Sequence, residues 1–333
     1  MGNSGQGEVL AMSLLEYQDK LGRLNVNSSG GRASPHKICL LLAVFDLARG
    51  GGLTENKVVF DTPLLERYSR FFDAVRAPTD HPNPYFPFFH LAGKLRGGQA
   101  GFWHLHPLSG RESVLSSMTT ARSFRDITEN IDYASLDNEL FLLLQVPFNI
   151  DALGQSLSER WFDRGLSDLQ SVVSICNEIS LYEHKLRIAP AIVANEALPP
   201  AYVRDPAFRR VVTQMYDYRC AATGVRLLLP SGEALVEAAH IHPFHEAGDD
   251  DPRNGLALTP DMHWAFDRNL IAPGPDLKWH VSSILDSRVP DFATLVGLEG
   301  RPLLPPREAR MFPKREVLEW RMLRLREFGM GDR

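Results

Sequence analysis

Residues 235–271 read LVEAAHIHPFHEAGDDDPRNGLALTPDMHWAFDRNLI. Two short strand-like runs, LVEAAHI (235–241) and GLALT (255–259), flank a polar loop, and a helix-like run, PDMHWAFDR (260–268), follows directly. His240 ends the first run, Asn254 immediately precedes the second, and His263 sits in the helical one. The rest of the chain is organised around this strand–loop–strand–helix unit.

Just upstream, Asp205 and Pro206 start a helix whose apolar face is Phe208, Val211, Val212 and Met215. Downstream, PKREVLEWRMLRLREFG (313–329) is a basic amphipathic helix with Val317, Trp320, Leu323 and Leu325 broadly on its buried side. Further upstream, IAPAIVANEALPPAYV (188–203) is rich in proline and alanine without a strong period and reads as a linker, preceded by helical runs over 156–190. In the first part of the chain, Ser34 and Pro35 make a helix start for PHKICLLLAVFDLAR (35–49), which is apolar nearly all round and therefore central to its domain. Thr62 and Pro63 open a second helix, PLLERYSRFFDAV (63–75). Two aromatic runs, FPFFHL (86–91) and GFWHLHP (101–107), read as strands joined by a glycine-rich basic turn, and ITENIDYASLDNELFLLL (127–144) reads as helical. Helices followed by a hairpin predict a winged-helix-like or related small α+β domain.

The length of 333 residues predicts two domains of roughly 150 residues each. With 44% hydrophobic and 23% charged residues, there is ample material for cores. No apolar run approaches the roughly 20 residues that span a bilayer, so no membrane partner is expected. The start, MGNSGQGEVLAM, lacks the basic opening and long apolar core of a signal peptide. Cys39, Cys176 and Cys220 are too widely spaced for a disulfide framework or a four-cysteine zinc site, and a reducing cytoplasm fits best. A net charge of −5 argues against a protein that coats nucleic acid, while leaving room for a local basic patch facing phosphates.

Cleaving a phosphodiester needs a nucleophile, a sink for developing charge and help for the leaving oxygen. A divalent metal supplies the last two, and a neutral histidine can take a proton from water near pH 7. One histidine at a strand end and another on a helix allow one to act as base while the other holds metal.

Over Arg219–Ser282, with AAHIHPF…NGLALTPDMHWAFD as its core, the sequence resembles the HNH endonucleases of the ββα-metal fold, in the form found in modification-dependent and other restriction nucleases. The resemblance implies that His240 is the general base, that Asn254 holds the loop against the strands, and that His263 is a metal ligand. Asp267, four residues on and on the same helix face as His263, is a candidate second ligand. Many relatives carry a metal-binding aspartate or histidine just before the base; here that position is Ala239, and Glu237, two residues earlier on the same strand face, is the candidate replacement. The implied cofactor is Mg²⁺ or Mn²⁺, with Co²⁺ or Ni²⁺ as further options. With Cys220 alone, no structural zinc is expected. His242 and His245 read as substrate-side or solvated residues, the run Asp249–Asp251 as a solvated turn, and Cys220 as a small packed residue.

The N-terminal segments SPHKICLLLAVFDLARGGGLTENKVVF (34–60) and NPYFPFFHLAGKLRGGQAGFWHLHP (83–107) are similar to the N-terminal domains of such nucleases, among them the sulfur-binding domain that reads phosphorothioate backbones. That resemblance implies an apolar cup of Tyr85, Pro87 and Phe86 or Phe88, with His36, Lys37, Lys94 and Arg96 meeting the phosphate. The expected organisation is α+β: a helical, winged-helix-like DNA-recognition domain (1–155), a helical connector and linker (156–203), and a ββα-metal HNH nuclease domain (204–333). The partner is DNA, phosphorothioate-modified or methylated, and cutting both strands calls for a homodimer. Three other readings stay open: a DNA-binding protein whose site is inactive because Ala239 weakens the metal shell, an HNH nuclease recognising unmodified sequence, and a metal-dependent hydrolase acting on another substrate.

Overall fold

An all-round apolar sequence at 36–49 has one stable fate, a helix surrounded on every side, and that is its place in the computed structural model, which describes residues 4–29, 32–161, 166–188, 198–229 and 232–330. The chain divides into two units, Met1–Leu181 with Pro230–Gly232 and Tyr182–Leu229 with Glu233–Arg333. The division falls inside the stretch expected to be connector.

The first unit contains α1 (Ser4–Gly22), α2 (His36–Arg49), α3 (Thr62–Val75), α4 (Tyr85–His90), β1 (Trp103–Pro107), β2 (Ile131–Leu136) and α5 (Pro147–Trp161). Helix α2 packs against α3, α4 and α5, and its residues Ile38 to Phe45 are all buried. Ser34 does not cap this helix: the cap position is Pro35, and the Ser34 hydroxyl meets His36 Nδ1 at 2.9 Å. Helix α3 is capped by Asp61, whose carboxylate accepts the Leu64 N–H at 3.3 Å, with Pro63 in the first turn, where its missing N–H costs nothing.

Two strand and helix expectations are corrected here. FPFFHL forms most of α4, and IDYASL forms β2, which pairs antiparallel with β1 from Trp103↔Leu136 to Pro107↔Ile131. The hairpin of 86–91 with 101–107, on which a wing would rest, therefore does not form. Pro84 and Pro87 lie at the cap and within the first turn of α4, where proline is tolerated, and the Trp103 indole donates to the Phe88 carbonyl at 2.9 Å.

The second unit takes in the end of α6 (Leu166–Ile188), then α7 (Ala201–Met215), β3 (Glu237–His240), β4 (Gly255–Leu258), α8 (Pro260–Asp267), the hairpin β5 (Ile271–Pro273) and β6 (Trp279–Val281), and α9 (Arg315–Met330). Helix α7 begins at Ala201, four residues before the expected start, and carries Pro206 within it. Its buried face is Phe208, Val211, Val212 and Met215, each side chain contributing about 1.5–3 kcal/mol of apolar burial. On α9, Val317 and Leu325 are buried with Leu318 and Met322, whereas Leu323 is exposed, against expectation. Residues 189–197 of the expected linker lie outside the described residues. Among the described residues, no helix is long and apolar enough to cross a membrane.

Strands β3 and β4 pair antiparallel, Glu237↔Leu258 to His240↔Gly255, and α8 follows after Thr259 and packs on both, a ββα unit. Gly255, at the start of β4, lets α7 pack closely against the strand pair. A methyl group there would lie 2.5 Å from Val212 Cγ2 and 2.9 Å from Phe208 Cζ. Gly255→Ala is therefore expected to destabilise the protein by about 1–3 kcal/mol through overpacking, read as a lowered midpoint in urea; an unchanged midpoint would refute this packing.

Candidate functional site

His240 sits at the end of β3, opposite a glycine, so α7 approaches closely enough for Phe208 to lie flat against the imidazole. The ring centroids are 3.9 Å apart and the planes 3° from parallel, and Phe244 approaches the same ring at 5.9 Å. His240 Nε2 meets Asp250 Oδ1 at 2.9 Å. Asp250 is fully buried. It also accepts from Arg204 at 3.0 and 3.2 Å and from the Tyr182 hydroxyl at 3.3 Å. Burial, and then the Asp250 charge, push the Tyr182 phenol up, which keeps it a proton donor.

Asn254 is also fully buried. Its Oδ1 accepts the His242 N–H at 2.9 Å, and its Nδ2 donates to the carbonyls of His242 at 2.9 Å and Asp249 at 3.0 Å. One amide thus staples the end of β3 to the loop that carries the aspartates. His242 stacks on Trp320 at 3.9 Å, with its imidazole pushed down by burial, and His245 is exposed on the surface.

The aspartate run is not a solvated turn. Asp250 and Asp251 are buried, and Asp249 is held by Lys314 at 2.7 Å. Arg253 clasps Asp251 through two nitrogens, at 2.7 and 3.0 Å. Burial favours the neutral acid, but the Arg253 hydrogen bonds and Lys314 outweigh it and hold the Asp251 carboxyl below the usual range. The sequence carried one clue: three carboxylates with Arg204, Arg253 and Lys314 available to neutralise them. Nothing local singles out Asp250, because its partners Arg204 and Tyr182 lie 46 and 68 residues away.

His263, Glu237 and Asp267 come together on β3 and α8. Glu237 Oε2 meets His263 Nδ1 at 2.8 Å, while Asp267 Oδ2 lies 3.5 Å from Nε2. The two carboxylates thus face opposite nitrogens of one ring, and they do not converge on one point. Among the described residues, no group of three or more His, Cys, Asp or Glu is arranged to hold a metal ion. Asp267 is thus the carboxylate on the Nε2 side of His263. Glu237, on the Nδ1 side, has the arrangement of a carboxylate that fixes the tautomer of the histidine it meets. Cys220 is buried, and the Thr259 hydroxyl approaches its sulfur at 3.6 Å.

The first unit holds a separate cleft of about 310 Å³, whose lining includes His36, Lys37, Phe86, His90 and Lys94. Lys37 Nζ donates to the Asn25 carbonyl at 2.9 Å, and burial lowers its ammonium below the usual lysine value. Burial, and then Lys37, lower His90. His36 spends both ring nitrogens, on Ser34 and on the His81 carbonyl at 2.9 Å. The other expected cup and rim residues lie outside the cleft lining. Pro87 and Phe88 are buried in α4. Tyr85 packs edge-on against Phe124, and Arg96 lies over the Trp161 ring at 5.1 Å.

Residues 220–272 match the family model described as HNH endonuclease. The match spans β3, Asn254, β4 and α8, and leaves outside it Tyr182, Arg204 and Phe208 around His240, and Lys314 and Trp320 around the aspartate loop and His242. Among solved structures, the modification dependent TagI restriction endonuclease is similar at 22% identity with a TM-score of 0.28, over 37% of this chain and 38% of that one. The chain thus spans well under half of that structure. No curated protein matches.

Proposed function

We propose that this chain, which carries an HNH endonuclease domain over residues 220–272, is a divalent-metal-dependent DNA endonuclease of restriction type, guided to modified DNA by its N-terminal unit. The observation that carries the reading is the family match falling on a strand-end imidazole, His240, whose ring is held by a buried carboxylate and a flat aromatic neighbour. With Nε2 engaged by Asp250, Nδ1 is the nitrogen that takes a proton from water. Asn254 keeps His240 and the aspartate loop in register. His263 Nε2 and Asp267 are the residues that would hold the ion, with Glu237 fixing the His263 ring. The carboxylate suits Mg²⁺ or Mn²⁺, while the imidazole nitrogen favours a softer ion such as Co²⁺ or Ni²⁺ over Mg²⁺. Bound there, the ion would supply charge stabilisation to the phosphate and its leaving oxygen.

In the N-terminal unit, the cleft of His36, Lys37, Phe86 and Lys94 is the candidate reader of the DNA backbone: two ammonium groups beside an exposed aromatic face. The protein would act in the cytoplasm, as a dimer when both strands are cut.

Plasmid cleavage with Mg²⁺, Mn²⁺, Co²⁺ and Ni²⁺, and with chelator, tests the nuclease. Ion-dependent nicking or linearisation is expected; binding of DNA without cleavage under all four ions favours the inactive DNA-binding protein. In the same series, unmodified, methylated and phosphorothioate duplexes are compared for binding. Equal affinity for all three removes guidance by modification and leaves the nuclease recognising unmodified sequence.

A further inference from the structure

The Asp250 carboxylate that engages His240 Nε2 is fully buried and makes four polar contacts: His240, Arg204 twice, and Tyr182. A buried carboxylate is costly unless every lone pair is used, and here the donors converge from three separate elements. Arg204 is itself clamped, with Asp205 at 2.6 Å and its guanidinium 3.5 Å from the Phe244 ring centroid. Phe244 in turn approaches His240. The imidazole therefore lies in a frame whose walls are Phe208 and Phe244 and whose floor is Asp250.

We infer that Asp250 is a positioning residue for the general base: it selects, between the two flips of the His240 ring, the one that directs Nδ1 to the reacting water, and it places the ring proton on Nε2. The inference rests on the nuclease reading of His240. Stacking on Phe208 fixes the plane of the ring but not its flip, because a half-turn about the Cβ–Cγ bond leaves the plane in place. That half-turn exchanges Nε2 with Cε1 and Nδ1 with Cδ2. Only one flip offers Asp250 an N–H at 2.9 Å; the other offers it a C–H and loses a charge-assisted hydrogen bond inside the protein. The same bond decides the tautomer, since a carboxylate can only accept, so the proton stands on Nε2 and Nδ1 keeps its lone pair. Arg204 and Tyr182 donate to Asp250 and so aim its free lone pair at the histidine.

Asparagine in this place is nearly isosteric, but its oxygen is drawn to the Arg204 donors. Its Nδ2 then faces His240 Nε2 and donates to it, which moves the ring proton to Nδ1 and removes the base. Wild type, Asp250→Asn and Asp250→Glu are compared in the full-length protein, by single-turnover plasmid cleavage and by histidine ¹⁵N NMR, with the His240 signal assigned by its loss in His240→Gln. The expected result is a wild-type His240 protonated on Nε2, a shift of that proton to Nδ1 in Asp250→Asn with roughly 10- to 100-fold slower cleavage at unchanged DNA affinity, and partial recovery in Asp250→Glu. A wild-type His240 protonated on Nδ1 overturns the inference without recourse to any variant, and so does Asp250→Asn that cleaves at the wild-type rate. A wild type that shows the Nε2 tautomer but cuts no DNA under any of the four ions overturns the nuclease reading instead, and the role of Asp250 with it.

Discussion

Replacing His240 by alanine is expected to slow plasmid cleavage by about 10²- to 10⁴-fold while leaving DNA binding in place, the usual worth of a positioned general base. The fold should survive the change. Asp250 loses one donor but keeps Arg204 and Tyr182, so no carboxylate is left buried without a partner. Phe208 loses a stacking face and keeps its contacts around Gly255. Single-turnover rates at saturating ion, beside duplex affinities measured with chelator present, separate chemistry from binding. His240→Ala cutting within twofold of wild type would remove this residue from the chemistry.

Asn254→Ala should act first on stability. Three hydrogen bonds vanish at once, and they belong to the backbone of His242 and Asp249, on either side of the aspartate loop. Leaving a buried backbone group unpaired costs about 1–3 kcal/mol, and with some readmission of water the sum comes to roughly 3–5 kcal/mol. For a unit of this size, each kcal/mol corresponds to about 2–4 °C, so a fall of roughly 6–20 °C in Tm is expected. Cleavage should fall with it even below the new midpoint, because the loop that Asn254 staples also carries Asp250. A Tm within a degree or two of wild type would show that water replaces the amide without loss.

The parts of the fold legible in the sequence are those written in one local run. PHKICLLLAVFDLAR had to be a central helix because no face of it tolerates water, and LVEAAHI and GLALT flanking a loop gave strands β3 and β4. FPFFHL is helical and IDYASL a strand, the reverse of their local pattern, because six apolar or mixed residues fit either a turn and a half of helix or a strand. What decided them was tertiary: Phe88 and Trp103 packing edge-on at 5.3 Å, and β1 waiting opposite 131–136. The site divides in the same way. His240, Asn254 and His263 stand in a short motif, and Glu237 and Asp267 follow from strand and helix spacing. The motif could not say that Glu237 and Asp267 meet opposite nitrogens of His263, since a side chain's rotamer is not written in its spacing. Nor could it show Asp250, whose burial depends on helices α6 and α7.

That dependence sets the smallest piece of chain that would keep the site intact. A cassette cut at the edges of the matched stretch, residues 220–272, would carry His240 but leave behind Phe208, Arg204 and Tyr182. Its histidine would lose the flat face of Phe208, and the acid beside it would lose its arginine and its tyrosine donor. A graft that keeps the surroundings of His240 must start upstream of residue 182 and carry α7 whole.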